Sequence, residues 1–243
     1  MHTSDHELGT KGNLMAGRYT KQELKVKLHR SAFHLVATEG LGRLTTRKLS
    51  AGCGLSEPYI YQCYSDIPEL IEDAFMDIDQ EIADLMQKLI QRHLTQIHCR
   101  QELDEACWLL WCSYWNYLME DAEKTVFYWR YYQSGYYTKE LLSERQKNFS
   151  VFIDFIKNEG AALGFSDIAA LNAIIAMIID GSVSMAVKIH LGYIAQEAVS
   201  AEDIYHSIFS LLFHKVGLDI WEMPSVHHTP EQFTGRTERE NDG

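Results

Sequence analysis

Histidine, cysteine and carboxylate side chains are the groups that could hold a metal or move protons, and here their spacing supports neither role. His93, His98 and Cys99 come closest to a cluster, yet they match no familiar zinc pattern, and no His-Glu-x-x-His, paired-cysteine or calcium-loop sequence occurs. The five cysteines (Cys53, Cys63, Cys99, Cys107 and Cys112) are odd in number and lie mostly inside apolar helical patterns, so they read as reduced structural residues. Neither a glycine-rich phosphate loop nor a Gly-x-Ser-x-Gly elbow is present. We therefore expect no enzyme, no metal and no cofactor.

The chemistry that remains is recognition, and charge points to where it resides. The net charge is −12, which opposes binding to phosphates, but the distribution is uneven. Residues 11–65 carry nine Lys/Arg against three acids, a balance of +6, whereas everything after residue 65 carries thirteen against twenty-nine, a balance of −16. A basic head on an acidic body implies a nucleic-acid contact confined to the head. The start, Met1 to Gly17, is polar, and no run of about eighteen uncharged apolar residues follows, so the expectation is a soluble, cytoplasmic chain.

The elements that must position these groups are helices. Proline and glycine are few, no alternating strand pattern appears, and apolar residues recur at three- and four-residue intervals throughout, which predicts an all-α protein. Thr20-Lys21-Gln22-Glu23 has capping-box spacing and opens a helix over 20–38, with Leu24, Leu28, Ser31/Ala32 and Leu35 on its inner face. A short helix from Thr45 to Ala51 ends at Gly52-Cys53-Gly54, where a glycine can take the left-handed turn. Ser56 caps and Pro58 starts a third helix over 57–63, in which Ile60, Cys63 and Tyr64 are the inward positions. Asp66-Ile67-Pro68-Glu69 repeats the start signal for a long helix, and further helices are expected over 101–120, 122–134, 138–159, 167–191 and 201–216.

The segment from Leu44 to Ile71, LTTRKLSAGCGLSEPYIYQCYSDIPELI, resembles the TetR-family DNA-binding signature, with Ser56, Ile60, Tyr61 and Tyr64 at the positions of its recognition helix. The resemblance is carried by residues 20–75; beyond them only length and helical pattern agree. It implies an N-terminal three-helix helix-turn-helix domain joined to a C-terminal helical ligand-binding and dimerisation domain. The corresponding divisions are an arm over 1–17, a DNA-binding domain over 18–65, a helical domain over 66–221 and a flexible tail over 222–243.

A helix held by a glycine turn can enter a major groove about 12 Å wide. On this one Glu57, Tyr59 and Gln62 can reach base edges, Gln62 suiting adenine and Glu57 a cytosine amino group. Thr45, Thr46, Arg47, Tyr61 and Ser65 can bond phosphates, and Ser56 stands with them at the start of the helix. Glu57 and Ile67 depart from the family pattern, which often has a basic residue and a lysine there. A second reading, a helical protein that acts through a protein partner with a degenerate helix-turn-helix, stands beside the first for that reason.

Residues 101–137 hold twelve aromatics, including four of the five tryptophans. Trp108, Trp111 and Trp115 share a helix face, and Tyr128, Trp129, Tyr131, Tyr132, Tyr136 and Tyr137 follow on the next segment; together they could wall a cavity or fill a core. An aromatic cavity in an acidic body suits a flat or cationic lipophile, and the family's effector site is enclosed by these central helices. Late apolar stripes contain Ile174, Ile178, Gly181 and Met185, then Ile208 and Leu212. The resemblance implies that these pair with a second copy as a four-helix homodimer interface, setting two recognition helices on a palindromic double-stranded DNA operator. The function implied is a regulator, and in this family most often a repressor, released by a small aromatic or lipophilic effector.

Overall fold

Thr20 begins the described fold as the sequence anticipates: its hydroxyl accepts from the Glu23 amide at 3.2 Å while the Glu23 carboxylate takes the Thr20 N–H at 2.7 Å. The computed structural model describes residues 19–93, 99–162 and 168–215. The expected arm over 1–17 and tail over 222–243 lie outside the described residues, as does His98. Ten α-helices are described, with no strand: α1 (Lys21–Glu39), α2 (Thr46–Cys53), α3 (Glu57–Cys63), α4 (Ile67–His93), α5 (Arg100–Glu120), α6 (Ala122–Tyr132), α7 (Lys139–Asn148), α8 (Ser150–Ala162), α9 (Ile168–His190) and α10 (Ala201–Lys215). Single 3₁₀ turns at Leu41–Arg43 and Gln196–Ala198 join α1 to α2 and α9 to α10.

The chain divides into two compact units, Met1–Ala74 and Phe75–Gly243, and α4 runs from the first into the second. In the first unit α1 packs on α2 and α3. Leu24, Leu28, Ala32 and Val36 form its buried stripe, met by Leu49 from α2 and Ile60 from α3. In the second, α9 packs against α5, α6 and α10, and α5 also meets α6 and α10. Within α9, Ala173–His190 is long and apolar enough by length and composition to cross a membrane, with Asp180 and Lys188 interrupting it.

Two sequence expectations change. The single helix expected over 138–159 is two, because Phe149 leaves helical geometry (φ −89°, ψ 8°), although its N–H keeps the helical bond to the Arg145 carbonyl at 3.1 Å. No proline or glycine marks that break. The glycines that close α2 also have separate tasks. Gly54 holds the left-handed conformation (φ 66°, ψ 25°), where a Cβ is costly. Gly52 is still inside α2, and a Cβ there would stand 2.4 Å from the Ser31 hydroxyl, itself bonded to the Leu49 carbonyl at 3.1 Å. We expect Gly52→Ala to lower the stability of the first unit by about 1–3 kcal/mol. Adding Ser31→Ala should return part of that loss, since the remaining Ser31 Cβ lies at an ordinary 3.5 Å. Urea midpoints of the two variants and the parent test this; an unchanged midpoint for Gly52→Ala removes the close-approach explanation.

Candidate nucleic-acid interface and ligand cavity

The first unit presents α3 on an anchored base. Ile60 and Cys63 are buried, and Tyr64, just past the helix, is buried beside them. Tyr64 donates to Asp73 Oδ2 at 2.6 Å and lies 2.6 Å from His29 Nε2, while Lys25 Nζ reaches the same carboxylate oxygen at 2.8 Å. This cluster ties α1, the end of α3 and the start of α4. Burial pushes the Asp73 carboxyl up, but hydrogen bonds from Lys25 and Tyr64, with the Lys25 and His29 charges, outweigh it and hold the group below its ordinary value. Glu69 accepts from the Ser65 N–H and hydroxyl, both at 2.6 Å, and Asp66 caps α4 through the Glu69 amide at 2.9 Å.

With that side buried, the opposite face of α3 is open. Glu57, Tyr61 and Gln62 are exposed, Tyr61 at 58%, and Tyr59 is half-buried. Arg47 and Ser65 are exposed next to them in the sequence order α2–α3–α4, and so is Ser56, which stands at the N-cap position but, contrary to the expected cap, has a hydroxyl that makes no capping bond. Thr45 is engaged in capping α2, accepting from the Lys48 amide at 3.3 Å, and Thr46 donates to the Glu57 carboxylate at 3.4 Å. Glu57 is thereby held toward the start of α2, with its carboxylate at the N-terminal end of α3 where the helix dipole favours negative charge.

The second unit holds a partly open cavity of about 110 Å³. Its walls are almost wholly apolar: Ile82 and Met86 from α4, Leu110, Trp111 and Tyr114 from α5, and Ile175, Ile178 and Ile179 from α9 are among them. Arg145 and Tyr128 provide its polar end. A wider cleft of about 500 Å³ adjoins it, sharing Arg145, Phe149, Phe152, Ile175 and Ile179 and adding Tyr132, Tyr137, Asp154, Lys157 and Asp180.

The polar end is a buried ion pair clothed in rings. Asp79 is completely buried on α4, and its Oδ1 accepts from Arg145 Nε at 2.8 Å and from the Tyr128 hydroxyl at 2.9 Å. Arg145 also donates to the hydroxyls of Tyr128 and Tyr137, each at 2.7 Å. Its guanidinium carbon lies 5.5–5.9 Å from the ring centroids of Phe75, Tyr128, Tyr132, Tyr137 and Phe149. Burial drives the Asp79 carboxyl above its ordinary value despite the Arg145 charge and the bonds from Arg145 and Tyr128.

No family model and no curated protein matches the sequence. Solved structures do. A TetR family transcription regulator from Marinobacter aquaeolei VT8 superimposes with a TM-score of 0.62 at 14% identity, over 76% of this chain and 91% of that one. A TetR-family transcriptional regulator from Haemophilus influenzae RD gives 0.59 at 16% identity, over 81% and 98%. A TetR-like transcriptional regulator from Rhodococcus sp. RHA1 gives 0.57 at 12% identity, over 82% and 99%. The fold is that of the TetR-family regulators.

On this TetR fold the residues expected from the sequence separate. Trp111 and Tyr128 line the cavity and Tyr132 lines the cleft, whereas Trp108 and Trp115 are absent from both linings. Trp108 and Trp115 instead stack on the two sides of Trp111, with centroids at 5.8 and 5.3 Å, and Tyr205 meets Trp108 edge-on at 4.9 Å. Trp111 is held by its own N–H to the Ser182 hydroxyl at 3.1 Å. Among the late stripes, Ile174 and Ile178 are buried within the single chain, and Ile178 lines the cavity. Gly181 lies against Ile208 of α10, and Met185 is half-buried; the side chain of Leu212 lies outside what the structure describes.

Sequence reasoning missed Asp79, Arg145 and Tyr114, while Tyr137, one of the expected aromatics, lines the cleft. A signal for Asp79 was available: it follows Phe75 by four residues and precedes Ile82 by three, so it is an acid on the apolar face of α4 that requires a buried partner. Nothing local indicates that the partner is Arg145.

Proposed function

We propose that this chain is a ligand-responsive, DNA-binding transcriptional regulator that works as a homodimer. The observation that carries the reading is α3, a seven-residue helix anchored by Ile60 and Tyr64 with its far face lined by exposed Tyr61, Gln62 and Glu57. The basic charge of residues 11–65 and the TetR fold support the same reading. Tyr61, Arg47, Thr45, Thr46, Ser56 and Ser65 contact phosphates, and Gln62, Tyr59 and Glu57 face base edges.

Dimerisation uses α9 and α10. Only 28% of the apolar stretch Ala173–His190 is buried within one chain, and Met177 is 49% exposed, so an apolar strip remains for a second copy. Two recognition helices then address a palindromic operator. A small aromatic or lipophilic effector enters the cavity of the second unit, shifts α4 and lowers operator affinity, so the protein acts as a repressor that the effector releases from its operator. The protein acts in the cytoplasm and performs no catalysis.

Selection of bound fragments from a random DNA pool, at two salt concentrations, tests the core of the proposal. We expect a palindrome whose affinity falls steeply with salt. Tyr61→Ala and Arg47→Ala should weaken binding to all sequences, the latter also lowering the salt slope by about one, while Gln62→Ala should relax preference at one base pair by about 1–3 kcal/mol. Failure to enrich any sequence would replace this reading with that of a partner-binding protein. Unchanged affinity and preference in all three variants would overturn the contact assignment.

A further inference from the structure

The guanidinium that closes the cavity is already neutralised, yet it is not saturated. Three of its five N–H groups are used by Asp79, Tyr128 and Tyr137, and the other two have no acceptor among the described residues. Arg145 belongs to the lining of both the cavity and the cleft, so this side chain borders both spaces. The Asp79 oxygen that lacks a partner is itself buried, and Asp79 is not among the residues that line either space.

Each charge class of ligand fares differently at this end. A cation would meet Arg145 with the compensating carboxylate behind it. An anion would have to be desolvated beside a guanidinium whose charge Asp79 cancels, and the cleft contributes Asp154 and Asp180 against Lys157. A neutral oxygen acceptor loses little on desolvation and gains hydrogen bonds from a charged donor, the stronger kind.

We propose that the effector is an uncharged lipophile with a carbonyl or ester oxygen, its apolar part in the cavity walled by Trp111 and Ile178 and its oxygen on the two remaining N–H groups of Arg145. This rests on the effector-binding reading above and narrows it: the cationic lipophile suggested by composition alone is not the preferred ligand.

The test is titration of the full chain with methyl octanoate, octanoate, octylamine and octane, followed by calorimetry and by the tryptophan fluorescence that Trp111 contributes. We expect methyl octanoate to bind about ten- to hundredfold more tightly than octane, the range for hydrogen bonds to a charged group, and more tightly than either ion. In the doubly neutralised variant Arg145→Met/Asp79→Asn, the ester should fall to the affinity of octane. Tighter binding of octanoate or octylamine, or equal binding of ester and octane, overturns the neutral-acceptor assignment while leaving effector binding in place. Binding of none of the four overturns both. Should the double variant fail to fold, the order of affinities in the parent chain decides by itself.

Discussion

Arg145→Met should destabilise the second unit by about 3–5 kcal/mol, because it leaves a fully buried carboxylate without its cation. Asp79 would retain only the Tyr128 hydroxyl, and the rings around the guanidinium would lose the group they surround. Restoring neutrality with Asp79→Asn in the same chain should recover most of the loss, since an ion pair replaced on both sides no longer strands a charge. The deficit should also depend on pH in a defined direction. Burial raises the Asp79 carboxyl even with Arg145 present, and removing Arg145 raises it further. A carboxyl raised in the folded state binds its proton more tightly there than in the unfolded chain. The resulting stability is fully present below the unfolded carboxylate range and is lost as pH rises through the folded value. Arg145→Met should therefore approach the parent at low pH and fall further behind as pH rises. Urea unfolding followed by tryptophan emission at a series of pH values measures this. A deficit that shrinks with rising pH, or a double variant no better than the single, would show that Asp79 is not the group left stranded.

Ile60→Ala should have an effect of similar size on the other unit. The side chain is fully buried where α3 packs on α1 and α2, so its truncation removes apolar contact and leaves a cavity, at about 2–5 kcal/mol. In a unit of 74 residues that is a large share of the available stability. We expect hydrogen exchange to accelerate through α1, α2 and α3 while amides of α5 and α6 keep their protection, and sequence-specific DNA binding to disappear with it. Gln62→Ala, two residues along on the exposed face, serves as the control and should leave exchange unchanged. Normal exchange and normal DNA binding in Ile60→Ala would mean that α3 is held by something other than this core.

Much of the first unit could be read directly, and for a common reason. The Thr20 capping box, the Asp66 cap, Pro58 at the start of α3 and the left-handed Gly54 are each satisfied within a few residues of themselves. The inward positions of α3 followed from spacing alone, because a helix has one period and one buried face there. Where such signals were weak, reading faltered. Phe149 ends α7 with an ordinary backbone conformation and no breaker residue, so the hydrophobic period passed through it unbroken. Gly52 and Gly54 are alike in sequence, and only the approach of Ser31 separates a packing glycine from a turn glycine.

The second unit shows the division more sharply. An excess of aromatics in 101–137 was visible as composition, and the shared face of Trp108, Trp111 and Trp115 was visible as period. Which of them faces a cavity was not, because all three sit on one stripe and the choice depends on what α9 and α10 place opposite each ring: Ser182 beside Trp111, Tyr205 against Trp108. Arg145 and Asp79 are separated by sixty-six residues, and nothing near either one names the other. The sequence by itself determined most of the helices, the Thr20 and Asp66 caps and the buried face of α3, since these rest on interactions between residues up to four apart. The tertiary structure alone decided which aromatics wall the cavity and which charge closes it, since those follow from the packing of helices distant in the chain.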